Sequence, residues 1–250
     1  MKIYKLVILT QKLKDDFDNY LKSIDDLIDI GTDVSNIIIE SLKNLNKEYT
    51  SIPGFIQFKE KLERNIEMAE NIKSHPLLKE KYQIIYNQAL VLIVSAFESF
   101  MANLLARLIN DFPEKVIWPE KKTIGINLNL LKYYSSVGDL ILKSLKGEPN
   151  FQDWQSISRF LKESLKINIE KDISLGEREK IILYQAIRHI IIHNSSIIDT
   201  DFLKQIRDTK IFSEYENKKD NKIEIKESDY KEAKMLFSKV VKLVTEKISL

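Results

Sequence analysis

The chain has 250 residues, with 39 Lys+Arg against 37 Asp+Glu, a net charge of +2, three His and no Cys. The lack of Cys excludes disulfide scaffolds, Cys-ligated zinc, iron–sulfur clusters and thiol nucleophiles, and a hydrophobic content of 44% argues against a disordered chain. Six Gly and five Pro are too few for a loop-rich sandwich, and so even a charge balance does not mark a nucleic-acid coat.

The length fits one large domain or a domain with an extension. The apolar spacing is helical nearly throughout, so an all-α fold is expected. Lys2 and Lys5 precede a short apolar run, but Gln11-Lys-Leu-Lys14 follows it without a small-residue cleavage pattern, which is unlike a signal peptide. Residues 16–45 place Phe17, Leu21, Ile24, Ile28, Ile38 and Leu42 at mostly three- and four-residue intervals. They predict a helix with a break or kink at Gly31. Pro53-Gly54 opens a second helix over 55–74, which closes at His75-Pro76.

Residues 78–110 form the longest predicted helix and end at Asp111-Phe-Pro113. Its centre is apolar on all sides, which requires enclosure by other helices or a second chain. The most apolar run, 89–97, is nine residues long and is followed by Glu98. That is short of the roughly 20 residues a membrane helix needs. The expectation is a core helix in a soluble, cytoplasmic protein without membrane contact.

Residues 111–128 carry Pro113, Pro119 and Gly125 and read as a connector with room for two short strands. Two shorter amphipathic helices follow, over 129–146 and 151–167, separated by Gly147-Glu-Pro-Asn150. Ser174-Leu-Gly-Glu177 has the spacing of a capping box, so a helix starts there and runs to about residue 194. A short helix over 201–207 comes next. Residues 210–216 and 222–226 flank the polar 217–221 and suggest a small β-hairpin. Asp229-Tyr-Lys-Glu232 caps a last helix with Ala233, Leu236, Phe237, Val240, Val241 and Val244 on its apolar face. The expected organisation is a helical extension over 1–77 and a helical domain over 78–250, packed as one unit.

Nucleophile elbows, P-loops, dinucleotide-binding glycine loops and H-E-x-x-H are all absent. Two of the three histidines fall together in Gln185-Ala-Ile-Arg188-His189-Ile-Ile-Ile-His193-Asn194, in the last turns of the helix that the capping box opens. With Arg188 at zero, Gln185, Arg178, His189 and His193 lie at roughly 60°, 80°, 100° and 140° around that helix. The polar groups therefore share one arc on an otherwise Ile-rich helix. Desolvating an arginine without a partner is costly, so this stripe should face a carboxylate, a ligand, a groove or a second chain.

Three readings stay open on residues alone. Arg188 pairs with a buried carboxylate and the histidines bond backbone carbonyls; or His189 and His193 hold a metal with added carboxylates; or the group performs acid–base chemistry on a phosphodiester. An imidazole moves protons in both directions near neutrality. A guanidinium grips phosphate oxygens in a fork and stabilises the charge that develops on them. Glu98, a lone carboxylate amid Val94, Phe97, Met101 and Leu105, needs a partner when buried. It either anchors Arg188 or Arg107, or takes part in the site. Tyr184, Trp118 and Trp154 read as packing residues.

Arg188-His189-x-x-x-His193 resembles the R-x(4–6)-H motif of HEPN domains, the all-α domains of many prokaryotic toxin and phage-defence ribonucleases. The polar residue after the Arg, the helix end with Asn194 beyond it and an upstream apolar helix with one acid (Ala96-Phe-Glu98-Ser-Phe100) are similar to the pattern of that family. The resemblance covers about residues 78–248. It implies that Arg188 holds the scissile phosphate, that His193 serves as general base or acid, and that His189 orients one of these groups or contacts RNA. Glu98, Asn194 and Gln185 are the supporting candidates. The resemblance further implies RNA as substrate, no metal or other cofactor, a homodimer with two motif copies facing one groove, and an antitoxin or defence-complex partner. Asn194-Ser-Ser-Ile197 follows the motif where an adenylylated subgroup carries Tyr, so that form of control is not expected.

Overall fold

The computed structural model describes residues 2–49, 56–74, 76–117, 136–144 and 150–249. Among these residues the secondary structure is helical, with one isolated β-bridge and no strand. The first helix, α1 (Lys2–Tyr49), runs through Gly31 without interruption and is longer than the central helix. The predicted break is therefore corrected. One glycine costs a helix only about 1 kcal/mol, and burial of Phe17, Leu21, Ile24, Ile28 and Ile39 on either side outweighs it.

The second helix, α2 (Ile56–Ser74), packs on α1. The third, α3 (Pro76–Asp111), is the centre of the fold, with Leu90, Ile93, Val94, Phe97, Met101, Leu104, Leu105 and Leu108 almost fully enclosed. A 3₁₀ turn at Pro113–Lys115 ends it. Of the two predicted shorter helices, α4 (Val137–Ser144) occupies the described part of the first, and α5 (Trp154–Ser164) the second. Asp153 caps α5 by accepting from the Gln155 and Ser156 amides. The strands expected in the connector lie mostly outside the described residues.

The capping-box helix is α6 (Leu175–His193), followed by α7 (Thr200–Ile206). The hairpin expected over 210–226 is not formed: Phe212–Tyr215 is a helical turn, α8, and Lys222 bridges to Ile197 instead. Phe202 and Tyr215 pack edge to face at 5.5 Å, which draws that turn against α7 rather than into an extended strand. The last helix, α9 (Glu227–Ser249), starts two residues before the expected cap. Asp229 still serves the helix start, accepting from the Lys226 amide at 2.9 Å.

Helices α1, α3, α6 and α9 make the bundle. Around it α1 meets α3 and α9, and α6 meets α3 and α9, while α3 and α9 also touch. Phe97 and Phe237 pack with ring centroids 4.9 Å apart across the α3–α9 contact, and Phe17 meets Phe100 across α1–α3 at 6.1 Å. The N-terminal helix thus shares one core with the rest of the chain. Residues Ile84–Asp111 are long and apolar enough to cross a membrane, a longer stretch than the nine-residue run suggests. In the fold this segment is the helix that the others surround.

Candidate functional site

Two local devices fix α6. At its start, Ser174 Oγ accepts from the Glu177 amide at 3.3 Å and Glu177 Oε2 accepts from the Ser174 amide at 2.9 Å. Lys239 of α9 donates to both Glu177 oxygens, at 2.7 and 2.9 Å. At its end, Ser195 and Ser196 take φ of 53° and 67°, and the Ser196 amide returns to the Ile190 carbonyl at 2.9 Å. Asn87 of α3 donates to Ser196 Oγ at 3.3 Å, so the turn after the motif is tied to the core. Ile181, Ile187 and Ile190 then face inward, and Arg188, His189 and His193 fall on the boundary with solvent.

Arg188 meets Glu98 of α3. Its Nη2 donates to Glu98 Oε2 at 3.2 Å, and both side chains are only 14% exposed. Of the two cations named for Glu98, Arg188 is its partner. Burial pushes the Glu98 carboxyl above its ordinary range, and the Arg188 charge opposes this without cancelling it. The contact runs through one guanidinium nitrogen, and Arg188 Nε is buried without an acceptor among the described residues. Gln185, one turn earlier and also buried, has its Nε2 in the same condition. Each such donor costs about 1–3 kcal/mol relative to a satisfied one.

His189 and His193, one turn apart, have ring centroids 4.7 Å apart and a tilt of 47°. His189 is half-buried and His193 exposed, so the pair leads from the Arg188 region to solvent. The carboxyl of Asp201 on α7 is held down chiefly by the Lys204 ammonium and also feels His189. Among the described residues no group of three or more His, Asp or Glu gathers as metal donors would need to. Asn194 does not join the imidazoles: its amide donates to the Ile197 carbonyl at 2.8 Å and to Asp199 at 3.3 Å. It shapes the turn into α7, whose first turn Asp199 caps through the Phe202 amide.

Two features escape the sequence pattern. A polar cavity of about 350 Å³ lies between α5, α6 and the end of α7, where Arg159, Lys162 and Arg178 face Glu163, Glu170 and Asp208 among its lining residues. Trp154 also lines it, 1% exposed, with the indole N–H lacking an acceptor among the described residues. Arg159 and Arg178 sit on different helices, so no spacing rule could have joined them. The second is a polar clamp between α6 and α9, in which Lys180 and Tyr184 share Glu232. Trp118 lies outside the described residues.

Comparison of the chain with protein-family models, with curated proteins and with solved structures finds no match.

Proposed function

We propose that this protein is a metal-independent endoribonuclease of the HEPN type, a toxin or anti-phage effector acting in the cytoplasm. The observation that carries the reading is Arg188, held on one side by a single contact to Glu98, with an Nε that lacks an acceptor among the described residues and a tilted imidazole pair on the same helix that reaches solvent. A half-satisfied guanidinium keeps N–H donors for phosphate oxygens, and two imidazoles supply a base and an acid.

In the reaction, the RNA 2′-oxygen attacks phosphorus and the bond from phosphorus to the 5′-oxygen breaks. One imidazole takes the 2′-hydroxyl proton and an imidazolium gives a proton to the departing 5′-oxygen. The products are a 2′,3′-cyclic phosphate and a 5′-hydroxyl. His193 acts in one of these transfers, His189 orients it or contacts RNA, and Arg188 stabilises the charge on the phosphorane oxygens. A homodimer would bring a second copy of the motif to the same groove.

The test is incubation of the purified protein with tRNA and total RNA in EDTA. Cleavage is expected from the wild type, and a loss of about 10²–10⁴-fold in His193→Ala, with a comparable loss in Arg188→Ala. Undiminished cleavage by both variants, or none by the wild type, overturns it. The second reading is a non-catalytic HEPN module that binds RNA or assembles a defence complex. The Glu98 contact favours it, since that contact already occupies the one cation of the motif. Partner association that survives both substitutions, without nuclease activity, would establish that reading.

A further inference from the structure

The polar cavity beside Trp154 opens on the same side of α6 as the Arg188 motif. With Arg188 again at zero, its lining residues Arg178, Ile182 and Glu179 lie at roughly 80°, 120° and 180° around the helix, against roughly 100° and 140° for His189 and His193. Ile182 stands about 10 Å along the helix axis from His189. The chain beyond the motif covers the same interval. Asp201, at the start of α7, feels the His189 charge, and the Lys210 amide, past the end of α7, donates to Glu179 Oε1 at 2.9 Å. Between these two points Gln205, Asp208 and Thr209 line the cavity. One flank of α6 thus carries the imidazoles near its end and the cavity near its start, and residues 201–210 run alongside from one to the other.

Three lining residues are buried: Trp154, Ser158 and Glu179 are 1%, 6% and 7% exposed. The Lys210 amide is the one partner of the Glu179 carboxylate among the described residues, and no cation pairs with it. A buried carboxylate so sparsely met is costly, and the Trp154 indole N–H is buried without an acceptor. Elsewhere in the lining the charges balance, with Arg159, Lys162 and Arg178 against Glu163, Glu170 and Asp208. Glu170 accepts from Ser158 at 3.0 Å and lies 3.7 Å from Arg178. A free phosphate therefore finds no net attraction, and the unmet demand is for N–H donors at Glu179 and an acceptor at Trp154. An ammonium or guanidinium supplies donors alone. The Watson–Crick edge of guanine supplies two N–H groups beside a carbonyl oxygen, which no other RNA base does.

We propose that this cavity takes one unstacked guanine of a single RNA strand lying along α6. Glu179 accepts from the guanine N1–H and 2-amino group, and the Trp154 indole donates to O6. A cavity of about 350 Å³ is at the small end of ligand-sized sites and has room for one purine nucleoside. The strand then continues past Ile182 to His189 and His193, so the cavity selects which phosphate reaches Arg188. This last step rests on the ribonuclease reading; the binding of guanine does not.

The test uses the full chain and short labelled 2′-O-methyl oligouridines carrying one central guanine, hypoxanthine or adenine, or none. The methyl group removes the nucleophile, so binding is read without cleavage. Fluorescence anisotropy should show the guanine strand bound about tenfold or more tightly than the adenine and all-uridine strands, with hypoxanthine, which lacks the 2-amino group, in between. Glu179→Gln keeps an acceptor for the Lys210 amide and should erase the preference. Gln205→Trp, at an exposed lining residue, should bring the guanine strand down to the others, and far-UV circular dichroism of both variants should match the wild type. Equal binding of all four strands, no binding of any, or a guanine preference that survives both substitutions overturns the proposal. So does Glu179-dependent binding of free arginine or spermidine tighter than that of guanosine in calorimetry, which would make the cavity a cation site. A guanine preference without cleavage of ordinary RNA refutes the ribonuclease reading and leaves the base site standing; cleavage with no base preference in binding does the reverse.

Discussion

Tyr184 of α6 donates to Glu232 Oε2 of α9 at 2.5 Å, and Lys180, one turn earlier, donates to the same oxygen at 2.8 Å. Tyr184 is 2% exposed; burial first, and then the Glu232 carboxylate, drive its phenol far above the ordinary range, so it remains a donor. For Glu232, burial pulls upward, but the hydrogen bonds from Lys180 and Tyr184 win and hold the carboxyl down. Glu232→Ala should cost about 1–3 kcal/mol because it strands the buried phenol. Tyr184→Phe should cost about 1 kcal/mol alone and less in the Glu232→Ala background. Urea unfolding of the two single variants and the double variant measures all three values.

Glu98 gives a pH signature of opposite sign. Its folded value lies above that of the unfolded chain, so the folded state binds the proton more tightly. Stability contributed in this way is present below the ordinary Glu value and is lost as pH rises through the raised one. Glu98→Gln removes the titration and keeps an acceptor for Arg188. The wild type should therefore lose stability relative to Glu98→Gln as pH climbs out of the carboxylate range, with parallel profiles above and below. Unfolding midpoints from about pH 4 to pH 8 test this, and profiles parallel throughout would refute it.

Two glycines should respond in opposite ways to alanine. At Gly138 of α4 an added Cβ would stand 2.2 Å from the Ala106 carbonyl oxygen and 3.0 Å from its Cα. The neighbour is backbone of α3, and the Gly138 amide is also held by Asn110 Oδ1 at 2.7 Å. Gly138→Ala should therefore cost about 1–3 kcal/mol as α4 is levered off α3. At Gly176, in the first turn of α6, nothing lies within 4 Å. Gly176→Ala should add about 0.5–1 kcal/mol. Thermal unfolding of both variants decides.

The start of α6 makes a further prediction. Ser174→Ala removes the acceptor for the Glu177 amide and should cost about 1 kcal/mol. The Glu177 carboxyl is held low by the Lys239 hydrogen bonds first and the Ser174 amide second. Its contribution is present above the ordinary Glu value and lost as pH falls through the lowered one. Glu177→Gln should show a shallower acid limb than the wild type, read by circular dichroism in an acid titration.

What the sequence discloses follows from how local each cause is. Ser174 and Glu177 are three residues apart, and their box sits where the spacing puts it. The partner of Lys222 is Ile197, 25 residues upstream, so a hairpin drawn from neighbouring runs chose the wrong pairing. Gly31 reads as a break by propensity, and tertiary burial along α1 overrides it. For Glu98, the cost of a lone buried carboxylate named the need for a cation. Only packing of α3 on α6 selects Arg188 over Arg107. Ile38 belongs to the apolar spacing of residues 16–45, yet it is 49% exposed and its neighbour Ile39 is the buried residue, a choice that packing along α1 makes.

The bundle is fastened by its first and last described helices. Tyr230 of α9 donates to Asp25 of α1 at 2.5 Å, Lys234 binds the same carboxylate, and Thr10 meets Ser249 at 3.0 Å. On a ribosome, the segments bearing Glu98 and Arg188 emerge before Ala233, Leu236, Phe237 and Val240, which close the core behind them. Until α9 is translated, a nascent chain has α1, α3 and α6 with one wall missing, and the long-range contacts that hold Arg188 in register are incomplete. The Glu98–Arg188 pair thus precedes the wall that encloses its helices, and the core around it is completed only when α9, residues Glu227–Ser249, is added.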